Sequence, residues 1–437
     1  MKQVRSGMQV SAILAAALFL SACGGSGAGG SADPSAAPAA GNPPSGGEQL
    51  TMLIPDRLLS VGAGTSEGYY YVEPGLSDAL TGQIRYVDYA TCMDIPLSTQ
   101  VNSDHSDETD TAYLDSIVGD YRMFVYADHL YFIRSGSVEN SDLGALAAGA
   151  VYRMNLDGSA QTQIYTCDDG STLLMYAVGG QECLYLLQQE SDGTKVLRIP
   201  EDGGEAAVVA NLPANDYYNL IGCRDGLLYL HQIGIDPNRE NSEGDMGATT
   251  HTLATLDVQS GTLSELADLC PSNGRYAEPH MAGGTLLYYY PDGERQVAIC
   301  DENGQVQTTI SLTEVAGNSF QQVDTPYLVG NTLFIPCWDA EQDHGYQILV
   351  DTGTGAVSRS DVCLTQEDGK DPLGATVLAE NDTAYLVMTE IRYEDAELHK
   401  GDGTAVTVQN QVYGYSLIPK QQFAAQDPEL QPIQRVQ

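Results

Sequence analysis

The sequence predicts an all-β fold, a β-propeller of about seven four-stranded blades, and three observations carry that reading. A unit recurs about seven times after residue 50. Each copy holds an apolar strand, a second strand often reading Leu-Tyr or Tyr-Tyr, a third alternating strand and a short fourth. A tight Asp/Gly-type turn separates the last two. Four short antiparallel strands per repeat are the mark of a propeller blade. The composition agrees: the chain has 26 Tyr against 6 Phe and 1 Trp, and Tyr favours strands because its ring packs while its hydroxyl keeps a polar partner. A chain of 437 residues ordinarily divides into two or three domains. A propeller escapes that count because its core is shared out among the blades.

The second strands align most readily. They are Tyr69-Tyr70-Tyr71-Val72, Leu130-Tyr131-Phe132-Ile133, Leu184-Tyr185-Leu186-Leu187, Leu228-Tyr229-Leu230, Leu286-Leu287-Tyr288-Tyr289, Leu333-Phe334-Ile335 and Ala384-Tyr385-Leu386-Val387. Third strands follow at 84–88, 151–156, 196–199, 253–257, 297–300, 348–351 and 412–417. Turns come next at Asp157-Gly158, Asp202-Gly203, Ser260-Gly261, Asn303-Gly304 and Thr354-Gly355. Gly accepts the positive φ of a tight hairpin, and Asp or Asn caps it. First strands precede each Tyr-rich strand, at 57–61, 123–126 and 328–329 among others. The last copy has a weak fourth strand, around 421–424. Residues 49–54 belong to no unit, so they are expected to supply the missing outer strand of the last blade and close the ring. Blade counts of six or eight are the alternatives.

The amino terminus reads as a lipoprotein signal. Lys2 and Arg5 give a positive start, and residues 10–20 are apolar apart from Ser11. That run is too short to cross a hydrocarbon core of about 30 Å as a helix, but it suits a signal peptide. It ends Leu20-Ser21-Ala22-Cys23, which looks like a bacterial lipobox. Cys23 is the expected lipidation site, carrying a diacylglycerol, and two acyl chains anchor stably where one does not. Residues 24–48 are almost wholly Gly, Ala, Pro and Ser, a flexible tether with a reach of about 25–30 Å. The expected organisation is therefore signal 1–22, lipidated Cys and tether 23–48, propeller 49–426 and tail 427–437. The expected location is the extracytoplasmic side of the cell membrane.

Charge excludes one class of partner. Lys plus Arg is 19 against 59 Asp plus Glu, a formal charge of −40. Such a chain repels nucleic acid phosphates. Eight cysteines remain beyond Cys23. Most fall within expected strands, none in a Cys-x-x-Cys pair, and they read mainly as buried thiols.

Val151-Tyr152-Arg153-Met154-Asn155-Leu156-Asp157-Gly158-Ser159 resembles the repeat of low-density-lipoprotein-receptor-like (YWTD-type) propellers and of TolB-like propellers. It also resembles a family of bacterial lipoproteins with propeller domains of unknown function. Leu256-Asp257 with Ser260-Gly261, and Val350-Asp351 with Thr354-Gly355, are similar to quinoprotein-type repeats. These resemblances imply the architecture and carry no catalytic residues onto this chain.

Propeller loops fall on two faces. Loops between second and third strands, and between blades, share one face; the tight turns share the other. Long insertions at 99–120, 135–150, 234–250, 339–345 and 392–408 lie on the first, and long loops on a rigid scaffold are where binding usually resides. They are acidic: Asp104, Asp107, Glu108 and Asp110 in the first, Asp236, Glu240, Glu243 and Asp245 in another, Asp339, Glu341 and Asp343 in a third, Glu394, Asp395 and Glu397 in the last. His105, His344 and His399 sit among them. The expectation is a binding module whose acidic face takes a protein, peptide or glycan ligand of cationic character. The alternative is a hydrolase or lyase acting on polysaccharide or cell-wall material. No catalytic motif is found. Gly64-Thr65-Ser66-Glu67-Gly68 matches a nucleophile elbow, but a strand follows where that motif needs a helix. No cofactor is expected beyond the lipid. Calcium is the weak alternative, since residues 104–110 have close oxygen donors but lack the Gly and distal Glu of a calcium loop.

Overall fold

The computed structural model describes residues 48–54, 61–75, 80–100, 109–115, 117, 120–136, 148–168, 170–240, 246–271, 275–292, 295–316, 320–366, 372–399 and 403–436. Leu20, Ser21, Ala22 and Cys23, with most of the tether, lie outside these. Seven antiparallel sheets stand around one axis. From axis to rim, blade 1 is Ala63–Gly64, Gly68–Pro74, Gly82–Asp88 and Met93–Pro96. Blade 2 is Tyr121–Tyr126, His129–Arg134, Ala150–Asn155 and Thr162–Thr166. Blade 3 is Ala177–Gly180, Cys183–Glu190, Gly193–Pro200 and Ala207–Leu212. Blade 4 is Tyr217–Arg224, Leu227–Glu240, Met246–Asp257 and Leu263–Asp268. Blade 5 is Glu278–Ala282, Thr285–Tyr290, Gln296–Cys300 and Val306–Ser311. Blade 6 is Tyr327–Val329, Thr332–Asp339, His344–Asp351 and Val357–Ser360. Blade 7 is Thr376–Glu380, Ala384–His399, Ala405–Pro419 and Gln431–Pro432. Among the described residues, the one helix is Thr313–Ala316, and none is long and apolar enough to cross a membrane.

The core is distributed as the repeat pattern requires. Apolar side chains of each blade's inner three strands point alternately to the two neighbouring blades, and seven buried clusters fill the seven seams. One joins blades 1 and 2 through Tyr70, Ile84, Leu130 and Phe132; the corresponding clusters run round the ring. The last joins blade 7 back to blade 1. There Tyr415 meets Tyr69 and Tyr71 edge-on at 6.4 and 5.4 Å. Cys92, Cys167, Cys183, Cys300 and Cys337 are buried in these seams, and none is joined in a disulfide.

Ring closure differs from the sequence expectation. Residues 49–54 do not complete the last blade. Thr51–Ile54 instead pairs antiparallel with Ala177–Gly180, on the axis side of blade 3. The segment is apolar on both sides. Leu50 and Met52 pack on the blade 3–4 seam, Leu53 and Ile54 on the blade 2–3 seam, whereas a rim position would leave one side in water. The carboxyl-terminal residues close the ring. Gln431–Pro432 forms the outer strand of blade 7, and Gln434–Arg435 adds in parallel to the rim strand of blade 1, Gln434 beside Met93. Residues 421–424, expected as that outer strand, instead follow a turn that drops Phe423, fully buried, into the blade 6–7 seam.

Candidate binding face

The tight-turn face is built from its own carboxylates. Asp257 accepts from the amides of Gln259 and Ser260 at 2.9 and 2.8 Å, and Asp351 from those of Gly353 and Thr354 at 3.0 and 2.8 Å. Asp157 accepts from Ser159 N and Oγ, and these bonds hold its carboxyl below the usual range. Gly158, Gly261 and Gly355 take the positive φ each turn needs, at 81°, 68° and 73°. These three aspartates satisfy turn amides, as local Asx turns do, while Asp225 and Glu302 on the same face are exposed.

The opposite face carries the long connections, but two of them are not loops. The insertions expected at 234–250 and 392–408 are largely prolongations of strands. In blade 4, pairing continues out to Asp236 with Ala248 and Glu240 with Met246. In blade 7 it runs without interruption from Glu390 with Gly414 to His399 with Ala405. That ribbon has two unlike sides, because successive side chains alternate. Asp395, Glu397 and His399 share one side with Tyr393, and the His399 and Glu397 side chains meet at 3.2 Å. Ala396 and Leu398 lie on the other with Val412; Ala396 and Val412 are buried. On that side Asn410 Nδ2 donates to the Gly75 carbonyl of blade 1 at 3.3 Å.

The sequence-predicted residues separate into three groups. Asp104, His105, Asp107, Glu108, Glu243 and Asp245 lie outside the described residues, as does the side chain of Glu240. Asp110 and Asp339 are buried. Asp110 accepts from Ser98 Oγ at 2.9 Å and from the Ala112 amide at 2.8 Å. Asp339 accepts from the amides of Glu341 and Gln342 at 3.0 and 3.2 Å, and the Arg359 guanidinium approaches it at 3.4 Å. His344 Nε2 stands 3.2 Å from Asp361, which also accepts from Arg359 Nε at 2.7 Å. Asp236 accepts from the Asn238 amide at 2.9 Å. Solvent-facing acids remain in the third group: Glu341 and Asp343 on the blade 6 turn, Asp395 and Glu397 on the blade 7 ribbon, with Glu394 half-buried.

Two polar contacts lie beyond the sequence expectation. His231 Nε2 and His251 Nδ1 lie 3.0 Å apart across the blade 4 hairpin, with the Tyr276 ring 4.8 Å from that of His251. In blade 5, His280 Nε2 is 3.4 Å from Glu278 Oε1, both side chains buried. The first pair is 20 residues apart, and only the hairpin register reveals it. The second, at i and i+2 on one strand, was within reach of the alternation rule. Among the described residues, no three His, Cys, Asp or Glu side chains are grouped to hold a metal ion.

No family model and no curated protein matches the chain. Solved structures are similar to it as propellers. The β-propeller domain of the trilobed protease from Pyrococcus furiosus shares 6% identity over 88% of this chain and 98% of that one, with a TM-score of 0.45. Prolyl oligopeptidase B from Galerina marginata shares 11% over 85% of this chain and 47% of that one, at 0.44, so the chain spans about half its length. An oligogalacturonate lyase in complex with manganese shares 11% over 73% and 86%, at 0.38. At these values the likeness is one of fold, and it carries no site residue onto this chain.

Proposed function

We propose that this chain is a binding module, held to the extracytoplasmic side of a membrane by lipid on Cys23, that takes a cationic protein or peptide on the face bearing the prolonged hairpins. One observation supports it most. Turn amides satisfy Asp157, Asp257 and Asp351 on the tight-turn face, whereas Asp395 and Glu397 project from one side of the blade 7 ribbon into solvent. Carboxylates on a rigid two-stranded element attract and orient cations at little ordering cost. The reading is non-enzymatic: the buried carboxylates Asp110 and Asp339 accept from backbone amides and neighbouring side chains.

The test is charge removal on the ribbon and on the blade 6 turn. Asp395→Asn with Glu397→Gln, and Glu341→Gln with Asp343→Asn, should each weaken retention of an arginine-rich peptide at low salt. Combined, they should abolish most of it, and the wild-type interaction should fade as salt rises. Equal retention by wild type and the quadruple variant would remove the proposal. Palmitate labelling that survives Cys23→Ala would remove the anchor.

A further inference from the structure

The segment in the central channel is seated as a ligand is. Blade 3 already has its four strands, and Thr51–Ile54 is a fifth, added on the axis side. Only three residue pairs hold it, Thr51 with Gly179, Met52 with Val178 and Ile54 with Ala177, with a register shift between the last two. Its leading residue, Glu48, is bound by a formed pocket. Tyr185 Oη donates to one carboxylate oxygen at 2.8 Å and the Gln181 amide to the other at 2.7 Å. Tyr185 is itself only 2% exposed. Gly180 makes the room: a Cβ there would lie 2.5 Å from Glu48 Oε1. Beyond this pocket, Leu50 and Met52 enter one seam and Leu53 and Ile54 the other.

We propose that the axis edge of blade 3 is a site for an extended peptide, filled in this structure by the chain's own residues 48–54. It accepts in trans a protein segment of the same pattern: a carboxylate, then apolar residues two and four positions on, followed at once by two more. The recognition mode is strand addition. Main-chain hydrogen bonds supply affinity, while the carboxylate pocket and the two apolar seams supply selectivity. An internal segment lowers the apparent affinity of any competitor, because its effective concentration is high; the resident strand is therefore autoinhibitory. The site is independent of the hairpin face described above.

The experiment keeps the full chain. A protease site is placed within residues 55–60, the folded protein is cleaved, and a labelled peptide spanning residues 47–55 is added in excess. The label should enter the ring by exchange while the circular dichroism spectrum and thermal transition stay native. The Glu48→Lys peptide should compete about tenfold or more less well, and Tyr185→Phe protein should bind the original peptide about tenfold more weakly. Three results would overturn the proposal: a folded, cleaved ring that never takes up label; a ring that unfolds on cleavage, which makes the strand an integral part of the core; or uptake indifferent to the charge reversal.

Discussion

Arg85 Nε lies 3.0 Å from Asp94 Oδ1, with both side chains buried, and the same guanidinium donates to the Val436 carbonyl at 2.7 Å. Blade 1 thus fastens the carboxyl-terminal segment through an arginine on its third strand and an aspartate on its rim strand. Tyr71 Oη donates to the second Asp94 oxygen at 2.8 Å, and Arg435 donates to Glu73 at 2.8 Å.

Truncating one member of that buried pair leaves the other charge uncompensated. Arg85→Ala should cost about 3–5 kcal/mol of folding stability, measured by urea denaturation. Asp94→Ala should cost a similar amount, and the double variant clearly less than the sum. Removal of residues 431–437 should cost as much as either. An additive double variant would show that the two side chains act separately.

Glu73 gives the clasp a pH dependence. Burial raises its carboxyl above the ordinary value of 4.5, although Arg435 and Arg85 pull it down. A folded value above the unfolded one means that the native state keeps the proton longer. The stabilising contribution is thus full below the unfolded value and is lost as pH rises through the folded one. Glu73→Gln cannot ionise, so it should gain on wild type between acid and neutral pH. Denaturation midpoints that run parallel for the two proteins over that range would contradict this.

Tyr327 ties blade 6 to blade 7. Its buried hydroxyl donates to Gln347 Oε1 at 3.0 Å and accepts from the Val377 amide at 3.1 Å. Tyr327→Phe keeps the ring and strands both partners in the core, which should cost about 1–3 kcal/mol. A change smaller than the error of the melting curve would mean that other groups satisfy them.

Burial pushes the thiols of Cys167, Cys223, Cys300 and Cys337 up to about 12. The thiolate is the reactive form, so these four should resist Ellman's reagent at pH 8 in the native protein. All should react once the chain is unfolded without reductant. Rapid labelling of any of them in the folded state, located by peptide mass, would contradict their placement.

The blades were legible because their signals are local. Each Leu-Tyr strand and each Asp-Gly turn, such as Asp157-Gly158, declares itself within a few residues. Closure was not legible, because it joins Met93 to Gln434 through the two-residue strand Gln434–Arg435, with no alternation to read; Arg85 holds that segment through the Val436 carbonyl, a backbone group that no sequence pattern announces. The carboxylates misled for a different reason. Asp110 and Asp339 look like solvent-facing acids in sequence, and only the fold shows that Ala112 and Glu341 present amides to them. The blade 7 ribbon looks like a loop in sequence because Glu394, Asp395 and Glu397 interrupt its apolar alternation, which resumes as Ala396 and Leu398 on the side turned toward blade 1.

A ring fastened by residues 431–435 has a temporal consequence. Until residues 431–435 have docked, a folding copy is an open arc, with Tyr69 and Tyr71 at one end and Tyr415 at the other lacking each other's company. Those sticky ends are hazards for mispairing between neighbouring copies, and a chain cut short before residue 431 would leave them unguarded for good.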